Sequence, residues 1–162
     1  MVTVESLSTH PELVAEVVDL AWTEWGAELP EVEHARWLRL AKRDCQLNAP
    51  FSAGFLAVEG HRAVGTVQLH EFDIDEMRDR SPWICGMVVR PEYRGMQIGR
   101  RLLEAVMAFA CRYGIEQLWV FTQGAAKFYE ACGWERFGET EHTGEPGVVL
   151  THSLGSLRLD RG

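Results

Sequence analysis

Lysine is nearly absent from this 162-residue chain. Only Lys42 and Lys127 occur, and 24 acidic residues outnumber 16 Lys and Arg, for a formal charge of −8. Nucleic-acid affinity rests on clustered cations that neutralise phosphates, so this balance argues against a protein whose main work is binding DNA or RNA. An acidic surface instead speeds encounter with a cationic small molecule or basic peptide, and it serves solubility equally well. Also missing is any run of about 18 uncharged apolar residues, or an N-terminal stretch joining basic residues to an apolar segment. Neither a membrane span nor a signal peptide is expected, and a cytoplasmic location is. Cys45, Cys85, Cys111 and Cys132 form no CxxC pair and sit among apolar or helical-pattern residues, as reduced core thiols do. The six histidines, His10, His34, His61, His70, His142 and His152, show no HExxH or HxxxH spacing, so no metal is predicted.

What is present is enough for one domain with a substantial core: 46% of residues are hydrophobic and 10% aromatic. We expect a single domain over residues 1–154 and a flexible tail over 155–162. A short strand over Val2 to Ser6 should be followed by a helix, with Thr9 and Glu12 at capping-box spacing and Pro11 in its first turn. Val14, Val17, Val18, Ala21, Trp22 and Trp25 then fall on one stripe of a 3.6-residue period, which Gly26 and Pro30 end. Glu31 to Leu47 repeats the pattern through Val32, Ala35, Leu38, Ala41 and Cys45, with Arg36, Arg39, Lys42 and Arg43 mostly on the solvent side.

From Gly54 the period becomes two. "GFLAVEGHRAVGTVQLHEF" reads as a hairpin turning at Glu59, Gly60 and His61 and running to about Phe72. A charged loop over Asp73 to Ser81 leads to "PWICGMVVRP", a strand in which Gly86 marks a bulge or a close backbone approach. A helix is predicted from Gln97 to Tyr113, then the apolar strand "EQLWVF", a short helix Ala125 to Ala131, and strands near Trp134 to Glu141 and Val148 to Ser153.

The junction "RPEYRGMQIGRRLLE" carries the chemistry. A strand that ends in Arg-Gly-x-x-x-Gly and flows into a helix gathers unpaired backbone N–H groups where the helix dipole is positive, and such a place binds anions. Gly95 and Gly99 admit a phosphate to the backbone, and Arg94, Arg100 and Arg101 add charge-assisted bonds. A Walker A loop is excluded because it needs GxxxxGK[ST]; a dinucleotide fingerprint is excluded for want of GxGxxG with its later acidic residue.

"VVRPEYRGMQIGRRLLE" resembles the acyl-coenzyme A signature Arg/Gln-x-x-Gly-x-Gly/Ala of the GNAT superfamily of N-acetyltransferases, Arg94 opening it and Gly99 closing it. Gln97 stands where the middle glycine is usual. A second element is similar too: "TQGAAKFYEACGW" matches Asn-x-x-Ala-x-x-Phe-Tyr-x-x-x-Gly-Phe at Ala125, Phe128, Tyr129, Gly133 and Trp134, with Thr122 in place of the Asn that often contacts pantetheine. The likeness spans roughly Phe55 to Ser153.

The resemblance implies an α/β (α+β) fold with a mixed, mostly antiparallel sheet splayed at its centre, and acetyl-CoA (coenzyme A) as cofactor. Met87, Val88 and Val89 would pair with the pantetheine arm. The amides of Arg94, Gly95, Met96, Gln97, Ile98, Gly99 and Arg100 would hold the pyrophosphate, and a backbone N–H near Val88 would serve as oxyanion donor. Tyr129 becomes the candidate general acid for the departing thiolate.

The implied reaction is direct attack of an amine on the thioester. A lysine-like amine of pKa about 10.4 is neutral only roughly once in 2,500 molecules at pH 7, and an α-amine near 7.8 about once in seven, so a base matters most for the former. His70, Glu71, Asp73, Glu24, Glu28 and water are the candidates. No carboxylate lies on the Trp83 to Val89 strand, where several relatives carry theirs.

The acceptor is read as a primary amine of a small cationic metabolite or antibiotic, with a peptide N-terminus or lysine as alternatives. A transfer-RNA-directed activity is disfavoured by the charge, and a non-catalytic acyl-CoA-binding module has no need of Tyr129. Trp22, Trp25, Trp37 and Trp83 are either core or the lining of an acceptor pocket. Many relatives form homodimers, and the late strands offer a surface for one.

Overall fold

The computed structural model describes residues 1–155. From residue 156 on, the tail read from the sequence lies outside the described residues. Seven strands form one sheet: β1 (Val2–Ser6), β2 (Ser52–Glu59), β3 (Arg62–His70), β4 (Trp83–Val89), β5 (Gln117–Thr122), β6 (Glu135–His142) and β7 (Glu145–Ser153). Their spatial order is β1-β2-β3-β4-β5-β7-β6. Only β4 and β5 run parallel, joined by the crossover helix that a parallel pair requires. The sheet is therefore mixed and mostly antiparallel, as expected.

Alternation along the hairpin sorts the two faces. Phe55 and Ala57 face one side with Val67 and Leu69, against α3 (Ile98–Arg112); Leu56 and Val58 face the other, against α1 (Val14–Trp25) and α2 (Glu31–Leu47). On α3, Leu102, Leu103, Val106, Phe109 and Ala110 are the buried stripe read from the sequence, and each buried Leu contributes about 2 kcal/mol relative to exposure. A fourth helix, α4 (Ala126–Ala131), packs Tyr129 into the α3 side.

Three local expectations are corrected. Thr9 and Glu12 make no capping box: the Thr9 hydroxyl donates to the Ser6 carbonyl, Glu12 meets His10, and a 3-10 turn at Pro11–Leu13 delays α1 to Val14. The stripe of α2 is displaced, since Val32 is exposed while Asp44 is buried beside Ala41 and Cys45. Nor do the tryptophans line one pocket. Trp22 and Trp37 meet edge to face on the helix side, Trp25 is exposed, and Trp83 is wholly buried against Trp119.

The centre of the sheet opens. β4 and β5 pair only at Trp83↔Trp119 and Ile84↔Val120, and beyond that β5 turns to β7 alone. At the same place β4 carries one extra residue: Gln68 pairs Cys85 but Thr66 pairs Val88. Gly86 takes up the bulge with φ +61°, beside the amide oxygen of Gln68. The positive φ is what requires the glycine, since the Gln68 side-chain end could move aside. The bulge bends β4 away from β5 and creates the gap.

Candidate active site

Below the gap lies the glycine turn. The first α3 amide bonded back to the chain is that of Arg101, to Gln97 O at 3.0 Å. The amides of residues 95–100 donate to no described acceptor, so six N–H groups are gathered at the positive end of a 15-residue helix. Gly95, Met96, Gln97 and Arg100 are exposed, Ile98 is buried as the anchor, and Gly99 is half-buried against Phe128. Arg94 is held at the rim, donating to Val89 O at 3.0 Å and lying 3.6 Å from Glu24. A cavity of about 150 Å³ opens beside it between α1 and the end of β4, bordered by Leu20, Thr23, Val88 and Val89. The larger hollow, about 510 Å³, lies at the far end of the strands around Phe51, Arg80 and Gln117, away from this turn.

Gln97 occupies the left-handed region, φ +64° and ψ 14°. The turn thus keeps the conformation that a glycine adopts freely, and an L-residue bears the cost. Gln97→Gly is expected to stabilise the protein by about 0.5–1 kcal/mol once glycine's larger unfolded-state entropy is subtracted, read as a higher denaturation midpoint.

The other end of the gap is where titratable groups meet. Tyr129 is 4% exposed, its ring edge-on to Phe128 and Trp134, and its hydroxyl has no nitrogen or oxygen partner among the described residues; it points to Met87 Sδ at 4.0 Å. Burial pushes its phenol well above the usual value, helped by Cys85 and Asp73. The proton is therefore retained at any physiological pH. Thr122 is not free in the same sense, because its Oγ1 accepts the Ala125 N–H at 3.0 Å and shapes the turn into α4.

Of the base candidates, two are brought to this centre. Asp73 follows β3, accepts no hydrogen bond among the described residues, and is raised by burial to about 6 against the pull of His142 and His70. His70 lies at the end of β3 with Nε2 2.7 Å from Asp44 Oδ2 and Nδ1 3.2 Å from Cys85 Sγ. Glu71 and Glu28 point to solvent, and Glu24 sits at the Arg94 rim. Asp44 and Cys85 escaped the sequence reading. Asp44 has no feature in the sequence that singles it out and Cys85 reads as a core thiol; the signal that joins them, a shared partner in His70, exists only in three dimensions.

No group of His, Cys, Asp or Glu among the described residues could hold a metal ion. No helix among them is long and apolar enough to cross a membrane.

A split parallel pair, a bulge, a cradle of free amides and a buried phenol make up the candidate site, and comparison with known proteins gives the family of the chain. The profile of the Acetyltransferase (GNAT) family matches residues 14–134. The chain belongs to this family and is an acyltransferase that uses acetyl-CoA. An acetyltransferase of the GNAT family from Staphylococcus aureus Mu50 superposes with a TM-score of 0.72 at 17% identity, over 95% of this chain and 99% of that one. An aminoglycoside 6′-N-acetyltransferase complexed with coenzyme A gives 0.73 at 15% identity, over 93% and 96%. Ard1 from Thermoplasma volcanium gives 0.70 at 14%, over 94% and 97%. These likenesses speak for the fold. No curated protein matches the sequence.

Proposed function

We propose that this protein moves the acetyl group of acetyl-CoA to a primary amine of a small cationic metabolite or antibiotic by direct attack. One observation carries the reading: the buried phenol of Tyr129, with no nitrogen or oxygen partner among the described residues, and the half-buried carboxylate of Asp73, which accepts no hydrogen bond among them, interact with each other electrostatically. Each lacks the partner that a purely structural polar group would have. The aminoglycoside 6′-N-acetyltransferase among the structural neighbours is consistent with this choice.

Acetyl-CoA supplies the activated acetyl thioester. The chain's residues do the rest. The amides of residues 95–100, with Arg94 and Arg100, would hold the pyrophosphate; Met87, Val88 and Val89 would offer backbone groups to the pantetheine arm; and an N–H near Val88 would serve as the oxyanion donor. Ala125 and Phe128 wall the channel beside Met87 and Gly99. Asp73 draws the ammonium in. Tyr129 donates its proton to the departing sulfur, whose negative charge is poorly solvated in the same apolar setting.

The test is a panel of amino sugars, polyamines and peptides with free α-amines, scored for coenzyme A release and for a one-acetyl gain in mass. Turnover on cationic small amines is expected. Turnover on peptides alone would replace this reading with the peptide one. Asp73→Asn should raise KM for a cationic amine by about tenfold, or about 1.4 kcal/mol, with kcat little changed. In the native protein that KM should also rise as pH falls through about 6, because the carboxylate attracts a cation only when ionised. The variant should lose this dependence.

A further inference from the structure

The roles above leave one group of side chains unused. On the α1/α2 side of the sheet, Cys85 stands one residue before the Gly86 bulge with its Sγ 3.2 Å from His70 Nδ1. His70 Nε2 lies 2.7 Å from Asp44 Oδ2, and Asp44 Oδ1 accepts the Ser52 hydroxyl at 2.7 Å. Asp44 is 1% exposed. A carboxylate so deep costs several kcal/mol unless it is paired, and Ser52 alone would tie α2 to β2 without an ionisable partner. The imidazole and the sulfur are what the carboxylate is arranged to serve. A thiol beside a base that is oriented by a third group is the geometry of an activated sulfur.

We propose that Cys85 is the group that takes the proton from the incoming ammonium, with His70 and Asp44 as the positioning residues that stabilise its thiolate. This rests on the amine-acetylation reading above. Both ring nitrogens of His70 are occupied, one by Asp44 and one by Cys85, so the imidazole reaches an acceptor only through the sulfur. Position is the second argument. Cys85 is the last residue of β4 before the bulge, at the point where β5 departs, and it interacts electrostatically with Tyr129 and with Asp73.

Proton affinity selects Cys85 over Asp73. Passing a proton from a lysine-like ammonium, pKa about 10.4, to a carboxyl at about 6 is uphill by about four pH units; passing it to a thiolate whose proton affinity burial has raised is much less so. The groups that bear on Cys85 are His70 from β3, Asp44 from α2, Asp73 from the segment after β3 and Tyr129 from α4, with His142 of β6 acting on Asp73. Burial pushes the Cys85 thiol up, and His70 pulls it back. Burial opposes the charge of His70, but Cys85 and Asp44 outweigh it and hold the imidazole well above its ordinary value. Imidazolium and thiolate thus stabilise each other, and the two groups titrate as a pair.

The steps balance. Thiolate and R–NH3⁺ give thiol and R–NH2; the nitrogen's lone pair then forms the N–C bond to the acetyl carbon as the C–S bond breaks. The sulfur of the leaving group takes the Tyr129 proton. The second proton shed by nitrogen restores Tyr129, and Cys85 returns its own to solvent, so R–NH3⁺ and the thioester become amide, thiol and one H⁺.

Two measurements test this, one of them on the free protein. The rate of Cys85 alkylation by iodoacetamide, followed by peptide mass against pH, should have a midpoint that His70→Gln raises by about one unit or more, while calorimetric binding of acetyl-CoA is unchanged. The same midpoint should appear in the pH profile of kcat/KM for amine acetylation, where it belongs to the Cys85–His70 pair. Cys85→Ala and the near-isosteric Cys85→Ser should lower kcat/KM by about 50-fold or more for a lysine-like amine and clearly less for an α-amine, which is already partly neutral. Turnover retained in both Cys85 variants, or a midpoint unmoved by His70→Gln, overturns the proposal and leaves amine acetylation standing. An acetyl group found on Cys85 without any amine also overturns it, making the sulfur a nucleophile. A native protein that acetylates no amine in the panel brings down both readings.

Discussion

Tyr129→Phe should lower kcat by about 100-fold or more while leaving acetyl-CoA affinity and the unfolding midpoint nearly unchanged. The hydroxyl has no nitrogen or oxygen partner among the described residues and only a long hydrogen bond to the Met87 sulfur at 4.0 Å, so its removal costs the fold little. It also relieves a buried polar atom, which usually costs stability when unpaired. What is lost is the proton that the departing thiolate needs. Steady-state kinetics together with calorimetry check this, because a tyrosine that only packs would leave the rate unchanged. The pH profile separates the two further. Since burial holds the phenol well above its usual value, the native enzyme should show no alkaline loss of activity from Tyr129 within the working range.

Gly99→Glu should abolish measurable acetyl-CoA binding, a fall of at least about 100-fold. A Cβ at this position would meet Phe128 Cζ at 3.5 Å and Met87 Sδ at 4.0 Å, which are ordinary contacts, and Gly99 does not have positive φ. The backbone therefore accepts a side chain. The new carboxylate would lie among the amides of residues 95–100, satisfy them internally and repel a pyrophosphate. Retained secondary structure with lost binding is the expected pair of results, by circular dichroism and calorimetry. Binding that survives would mean that the cofactor phosphates rest elsewhere. Combined with Gln97→Gly, which tests the conformation of the same turn, the two variants separate its shape from its charge.

The two substitutions differ in how far their logic could be followed without coordinates. The cradle is a local object. Its glycines, its arginines and the helix start fall within Arg94 to Arg101, and free amides at a helix N-terminus follow from the i to i−4 bonding rule alone. Even the departure at Gln97 keeps the left-handed turn, because the flanking strand and helix fix both ends of it. Tyr129 came from a pattern spread over one short helix, and there too the spacing is local.

Asp73 was visible only as one candidate among several carboxylates. What separates it from Glu71 is burial, and burial at a loop just past a strand depends on which distant segments cover it, here those that bring His142 and His70 near. The apolar stripe of α2 failed at Val32 and Asp44 for a related reason. Periodicity states which face is apolar on average, but a polar group is admitted to that face wherever another element presents a partner, and Ser52 and His70 are that partner.

The sequence by itself therefore determined the free amides and left-handed conformation of the turn before α3, since these depend on hydrogen-bond rules that act over a few neighbouring residues, and the resemblance of its two motifs gave the family and the cofactor. Only the tertiary structure decided how the acceptor side is equipped. Asp44, His70 and Cys85 stand 26 and 15 residues apart, and are joined because α2 packs on β2 and the bulge at Gly86 sets the register of β4 against β3. No window of sequence contains such a contact; it follows from packing and strand register, which bring the three side chains within bonding distance.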